Sequence, residues 1–406
     1  MIRIRKKLSL VTSILLIFLL LFATACKDKK ISVEDYPEPE SVVKEEKERQ
    51  EYTSEADLSG AMTDEEFEEF IANPDPFEKN GNFIYNPANI PENLCRKYRD
   101  NPKVIANARH ILCAIYNFDS EFEIPTEDVL SAEDFFLAYE LAYEASPMTY
   151  GATVDSEDYQ HFTVSYLPSF TVYQEDDGTF AAEMIENDNP AHAKEVFDEF
   201  IDYVSRTINK NVDKDAPQME KAKAVYRALA NDFTIDWDLF GMTLTESDDF
   251  TDGSIDIISK NTLIEGVWEK KLDQYQLAQF YQFMMYQLNI ECMCVSGSGT
   301  YHKKNIEELD NYMADLWENT WNVVVSDGKA YNCDLFMEIA VLENRRITNP
   351  GSEADLTYFG MSDDTHDKTY TVNKASLGTY TTYYGYGAVD GVEENKVPEC
   401  VEDYYF

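Results

Sequence analysis

The sequence predicts an α+β protein, and three features carry that expectation. Apolar residues recur at helical spacing in several long stretches, apolar and polar residues alternate in others, and Asp-Gly pairs separate alternating runs as hairpin turns do. At 406 residues, 44% hydrophobic and 13% aromatic, the chain has material for two to three packed domains. Its 34 Lys and Arg stand against 77 Asp and Glu, a net charge of −43. So acidic a molecule repels phosphate backbones instead of releasing their counterions, which excludes nucleic acid as a partner.

The chain opens with Arg3, Arg5, Lys6 and Lys7, an apolar stretch from Leu8 to Ala25, and small residues at Ala23-Thr24-Ala25 before Cys26. That is the layout of a secretory signal over residues 1–25, and the flank of Cys26 resembles a bacterial lipoprotein lipobox. The resemblance implies diacylglyceryl transfer to the Cys26 thiol, cleavage before it, and N-acylation with a chain such as palmitate in some bacteria. The expected location is the extracytoplasmic face of a bacterial cell membrane, with the membrane itself as a partner through lipidated Cys26. An uncleaved membrane span is the competing reading, since the stretch is just long enough. Cleavage leaves 30 of the 34 basic side chains against 77 acidic ones, and two acyl chains would anchor stably where one would not. Cys95, Cys113, Cys292, Cys294, Cys333 and Cys400 remain. They are too sparse for a disulfide framework and suit either pairing in an exported chain or burial as small apolar residues.

Residues 26–60, rich in Glu, Lys, Asp, Ser and Pro, read as an acidic disordered tether. An N-terminal α+β domain is expected over 61–207. Leu94, Tyr98, Val104, Ile105, Ala108, Ile111, Leu112 and Ile115 fall on one helical face between Glu92 and Tyr116, and a second helix is expected from Ala132 to Ala145. Alternation at Phe162, Val164 and Tyr166, then Phe170 and Val172, leads through Asp177-Gly178 to Phe180 and predicts a hairpin. Pro190 to Asn209 returns to helical spacing. A second domain, over 208–370, opens with a helix from Gln218 to Phe233. A longer helix follows, roughly Asp273 to Leu288, so aromatic all round that it should be packed on several sides. Short strands are expected at Cys292 to Val295, Trp321 to Val325 and, past Asp327-Gly328, Ala330 to Asp334. Residues 371–406, rich in Tyr and Thr, suggest further strands or an ordered cap.

Lys221-Ala222-Lys223-Ala224-Val225-Tyr226, Leu263-Ile264-Glu265-Gly266, Asn289-Ile290-Glu291-Cys292, Thr320-Trp321-Asn322-Val323-Val324, Asp327-Gly328-Lys329 and Tyr331-Asn332-Cys333-Asp334 fall in an order that resembles the bacterial transglutaminase-like superfamily. Tyr358-Phe359-Gly360-Met361-Ser362-Asp363 looks like a stretch that follows the core in those proteins. The resemblance covers about residues 205 to 370 and implies a papain-like fold, a helix packed on an antiparallel sheet. Active members use a Cys opening the long helix, a His opening the Trp-Asn strand, and an Asp after the next turn. The thiol needs the imidazole to become a thiolate, and the imidazole needs the Asp to hold its useful tautomer. Here the Cys position falls at or near Gln274, the His position is Asn319, and the Asp position is Asp334. The resemblance therefore implies a degenerate triad of Gln274, Asn319 and Asp334, since an amide has no usable proton affinity near neutral pH.

Plainer readings stand beside these. Gln274 can be a polar residue on a first helical turn, and Asp334 can merely satisfy backbone donors. Cys292 and Cys294 alternate in a strand and suit core packing, while His302 beside Lys303-Lys304 suits a solvated loop. Asp248 to Asp256 has Gly253 where a calcium loop turns, but Phe250 and Ser259 stand at two ligand positions, so it reads as an acidic surface loop. The five His make no ligand spacing, so no metal and no cofactor is expected. The functional expectation is a membrane-anchored pseudoenzyme that binds or scaffolds a protein, peptide or cell-envelope glycan. The rival is an active envelope cysteine peptidase or transglutaminase-type acyltransferase, with Cys292 or Cys294 and His302 as its parts.

Overall fold

The computed structural model describes residues 48–53, 56, 58, 60, 62–77, 81–174, 180–237, 254–257, 262–297, 299–301, 319–372, 381–382 and 397–405. The expected signal, Cys26, His302 and most of the expected tether lie outside these residues. Arg49 and Gln50 are tied to the body. The Arg49 guanidinium takes both carboxylate oxygens of Asp119 at 2.6 and 3.0 Å, and the Gln50 backbone exchanges hydrogen bonds of 3.0 and 2.7 Å with the Asn117 side chain.

Helix α1 (Asp64–Ile71) starts at a Thr63–Glu66 capping box. The helix expected from Glu92 to Tyr116 is instead α2 (Glu92–Cys95), a 3₁₀ turn at Arg96–Tyr98, and α3 (Pro102–Asn117). Pro102 has no N–H to donate and suits only a first turn, so a new helix begins there. After β1 (Glu121–Glu123), α4 (Ala132–Ala145) has the expected bounds, with Ser131 capping it. Strands β2 (Ala152–Asp155) and β3 (His161–Tyr166) join β1 in an antiparallel sheet of order β1-β3-β2. The expected hairpin is β4 (Ser169–Gln174) and β5 (Phe180–Ile185), and α5 (Pro190–Asn211) follows.

Next come α6 (Gln218–Asp232), β6 (Thr234–Ile235) and β7 (Ser254–Ile257). Strand β7 pairs with β4, so the acidic run expected as a loop ends in a strand of the hairpin's sheet, and 248–253 lie outside the described residues. Helix α7 (Leu263–Glu269) and β8 (Lys271–Leu272) lead into α8 (Gln274–Gln287), the long aromatic helix. Then follow β9 (Glu291–Gly297), β10 (Gly299–Tyr301), β11 (Asn319–Ser326), β12 (Lys329–Cys333), α9 (Leu335–Thr348), β13 (Phe359–Met361), α10 (Asp363–Thr369), β14 (Tyr370–Val372) and β15 (Thr381–Thr382). The main sheet has the order β13-β12-β11-β9-β15 and is antiparallel throughout. Helix α8 packs on one face of it. Val295, Trp321, Val323 and Ala330 form a smaller cluster with Cys400 from the C-terminal segment.

The larger buried cluster runs from Phe67 through Phe200, Phe280 and Tyr281 to Met361, so residues before and after 208 share it. Polar contacts cross the same join. Asn89 Nδ2 donates to the Tyr286 carbonyl at 2.8 Å, and Asn289 Nδ2 donates to that of Pro74 at 2.8 Å. The molecule is thus an α+β protein with a helix laid on an antiparallel sheet, the layout expected for its second half.

Candidate functional site

The connection from α8 to β9 fixes which end of the sheet carries the site. Only Leu288, Asn289 and Ile290 separate them, and Glu291 at the start of β9 pairs with Val325 near the end of β11. A 14-residue helix and a seven-residue strand are each roughly 20 Å long. The start of α8 therefore lies over the opposite end, where Asn319 and Thr320 open β11. Side-chain contacts agree. Asn322 Nδ2 donates to the Ala278 carbonyl at 2.9 Å, and one turn later Gln282 Nε2 donates to the Cys292 carbonyl at 3.1 Å.

Gln274 is the first residue of α8. Asp273 caps the helix, its Oδ1 accepting the Gln276 N–H at 2.7 Å while Gln276 Oε1 accepts the Asp273 N–H at 3.2 Å. Burial pushes the Asp273 carboxyl up to about 6, against the pull of the Gln276 and Tyr275 N–H groups. Gln274 itself is only 3% exposed, and its Oε1 has no hydrogen-bond partner among the described residues. Gly266 permits this entrance: a Cβ there would stand 2.4 Å from Leu272 Cδ2 and 2.7 Å from the Lys271 carbonyl oxygen.

Asn319 opens β11 opposite Gly297, and its side chain lies outside the described residues. Asp334 follows Cys333, which pairs with Asn322, so the register sets Asp334 just past the ladder beside Trp321. The three positions named from sequence thus gather at one end of the sheet. Asp334 is fully buried and starts α9: its Oδ1 accepts the Met337 N–H at 3.0 Å, and its own N–H donates to the Tyr358 carbonyl at 2.8 Å. The Tyr358 loop is held in turn by Glu338, whose Oε1 accepts the Asp355 and Leu356 N–H groups and whose Oε2 accepts that of Tyr358, at 3.0 to 3.1 Å. Burial pushes the Glu338 carboxyl up to about 7.

A residue that the sequence did not single out completes this end. His366, on α10, is 4% exposed, and its Nε2 lies 3.9 Å from Asp334 Oδ2. Its ring centroid is 4.6 Å from that of Trp321. The imidazole beside the Asp therefore comes from a helix after the core and not from the Trp-Asn strand. Trp321 Nε1 donates to Asn332 Oδ1, Asn332 Nδ2 donates to Asp363 Oδ1, and the Cys400 N–H donates to Asp363 Oδ2, at 2.9 to 3.0 Å. Asp403 Oδ1 accepts from the Ser362 N–H and hydroxyl, and the Tyr404 N–H donates to the Gly360 carbonyl at 2.7 Å. Residues 397–405 thus form a strap along β13 and α10.

Thiol chemistry has no activated nucleophile among the described residues. Cys95, Cys113, Cys292, Cys294, Cys333 and Cys400 are all buried and unpaired to one another. Burial pushes Cys95, Cys113 and Cys333 up to about 12 and raises the thiols of Cys292, Cys294 and Cys400 as well. A reactive cysteine needs the reverse, a partly exposed thiol beside positive charge. Cys294 Sγ instead donates to Gln282 Oε1 at 3.3 Å, inside the seam between α8 and the sheet. Among the described residues no group of three or more His, Cys, Asp or Glu is placed to hold a metal ion.

No protein-family model and no curated protein matches the chain. Among solved structures, a TGase is similar at 12% identity and a TM-score of 0.25, over 45% of this chain and 43% of that one. A proposed protease from Parabacteroides distasonis is similar at 12% identity and a TM-score of 0.21, over 45% of this chain and 35% of that one. The chain spans less than half the length of either, and likenesses this loose carry no argument about its chemistry.

Proposed function

We propose that the chain is an exported protein, anchored to a bacterial cell membrane through acylated Cys26, whose transglutaminase-like half binds a peptide, an envelope protein or a glycan without turning it over. The observation that carries this reading is Gln274. Where the resemblance puts a nucleophilic thiol, the first turn of the helix carries an amide whose buried acceptor has no donor among the described residues. An unmet buried acceptor costs about 1–3 kcal/mol, which a ligand N–H or O–H relieves on binding. Peptide amides and sugar hydroxyls both supply such donors. The six buried, protonated thiols support binding over acyl transfer.

Three measurements test the reading. The purified protein should show no peptide hydrolysis and no amide crosslinking. Thiol-dependent turnover that disappears when any one Cys is changed to Ala would overturn it. Ligands found on glycan and peptide arrays should lose most of their affinity for Gln274→Ala, and unchanged binding would remove Gln274 from the site. Metabolic labelling with palmitate, lost in Cys26→Ala, checks the anchor.

A further inference from the structure

We infer that a strip of aromatic rings running from one flank of α4 to α8 is a docking surface for a basic peptide segment, rich in Arg or Lys, of a partner protein. Phe136, Tyr139, Glu140 and Tyr143 stand at i, i+3, i+4 and i+7 and so share that flank of α4. Phe136 is 39% exposed, Glu140 is exposed, and Tyr139 and Tyr143 are half-buried. The Tyr139 and Tyr143 ring centroids are 6.3 Å apart, and half-buried Tyr150 continues the row at 3.9 Å from Tyr143. Hydrogen bonds hold the row in place. The Tyr139 hydroxyl donates to the Ala152 carbonyl at 3.3 Å, and Gln279 Nε2 on α8 donates to the Tyr150 hydroxyl oxygen at 3.5 Å. The strip thus crosses from the first half of the chain to the opening turns of α8.

Charge selects the occupant. Glu133 and Glu140 are exposed on the same helix, and Lys97 is taken by Glu144 at 3.4 Å. Over the whole chain 77 acidic side chains stand against 34 basic ones. An anionic ligand is repelled from this surface and a cationic one is drawn to it. The faces of aromatic rings are electron-rich and attract cations within about 6 Å of their centroids. The molecule uses that device internally, with Arg99 over Phe67 at 5.2 Å, Lys221 over Phe77 at 5.1 Å and Lys270 over Tyr203 at 3.6 Å. On the strip, cations spaced along an extended segment meet the rings of Tyr139, Tyr143 and Tyr150 and the carboxylates of Glu140 and Glu133. A neutral glycan stacks on such rings but is not drawn by the field around them. The inference rests on the reading that the chain is a binding protein, and it places the partner on residues other than Gln274.

Calorimetric titration of the whole protein with an acetylated, amidated peptide of alternating Arg and Gly tests it, with the same peptide carrying citrulline for Arg as the uncharged control. The arginine peptide should bind and the citrulline peptide should not. Tyr143→Leu and Tyr150→Leu, which keep an apolar side chain and remove the ring, should each weaken binding about fivefold or more, while Tyr143→Phe retains it. Glu140→Gln should weaken it about twofold. Asp364→Asn, which removes an exposed carboxylate on α10, should leave it unchanged. The inference is overturned if the arginine peptide does not bind, or if it binds the Leu variants as it binds wild type. Equal losses in Asp364→Asn and Glu140→Gln would mean attraction to net charge alone and overturn it too. A hexasaccharide of N-acetylglucosamine that binds where the arginine peptide does not overturns the basic-peptide class. Gln274→Ala separates this inference from the reading it rests on: loss there with the Leu variants unaffected removes the strip and leaves Gln274, and the reverse result removes Gln274 and leaves the strip. NMR signals of the Tyr143 ring, assigned by their loss in Tyr143→Phe, should shift when the arginine peptide is added to wild type. Signals that stay in place sink the strip even if the Leu variants fail to fold.

Discussion

Asp273 and Gln274 are adjacent, and burial acts on them differently. The carboxyl of Asp273 is raised to about 6 because its desolvation outweighs two backbone donors. A folded-state value above the unfolded one means that the group's contribution to stability is complete below about 4 and is lost as pH rises through 6. Asp273→Asn keeps a capping oxygen and removes the charge. Urea unfolding from pH 4 to 7.5 should show wild type losing roughly 2–3 kcal/mol relative to this variant as pH rises, and parallel curves would refute it. Gln274, Asn319 and Asp334 could be named from sequence because they stand at fixed offsets from Trp321-Asn322 and Asn289-Ile290. His366 could not be named. Its relation to Asp334 is a contact between two elements 32 residues apart, and neither periodicity nor spacing encodes that.

Elements were most legible where one pattern acted alone. Helix α4 and the β4–β5 hairpin stand where the sequence puts them: Ser131 caps the one, and an Asp-Gly pair in the sequence separates the alternating runs of the other. Pro102 divided a pattern whose apolar spacing alone looked continuous. Helix α9 was missed because Asp334 read as the end of a strand. The side chains at 335–340 are buried on every side, which erases the polar face that marks a helix. Packing between elements is equally specific at Gly266, where α7 meets the turn into α8. Gly266→Ala drives a methyl into Leu272 and the Lys271 carbonyl. It should cost about 1–3 kcal/mol in thermal melts, and a variant as stable as wild type would mean that α7 is free to move away.

At the scale of the whole molecule, what the sequence least reveals is how its halves are joined. Local patterns divide the chain near 208, yet β7 pairs with β4 across that point and one buried cluster spans Phe67 to Met361. Far-UV circular dichroism and tryptophan fluorescence should therefore report one coincident urea transition, and two separated transitions would show independently folding halves. A different consequence follows from Arg49. Its grip on Asp119, with Gln50 on Asn117, makes the end of α3 the point where the leading segment leaves the body. If Cys26 is the anchor, as proposed, the 22 residues from Lys27 to Glu48 limit the distance between membrane and body. Whatever path they take, their contour is at most about 75 Å. Loss of the Arg49 contact would lengthen that reach by the residues it released. On the proposed anchor, the body would reach only targets that lie within that contour, plus its own breadth, of its patch of membrane.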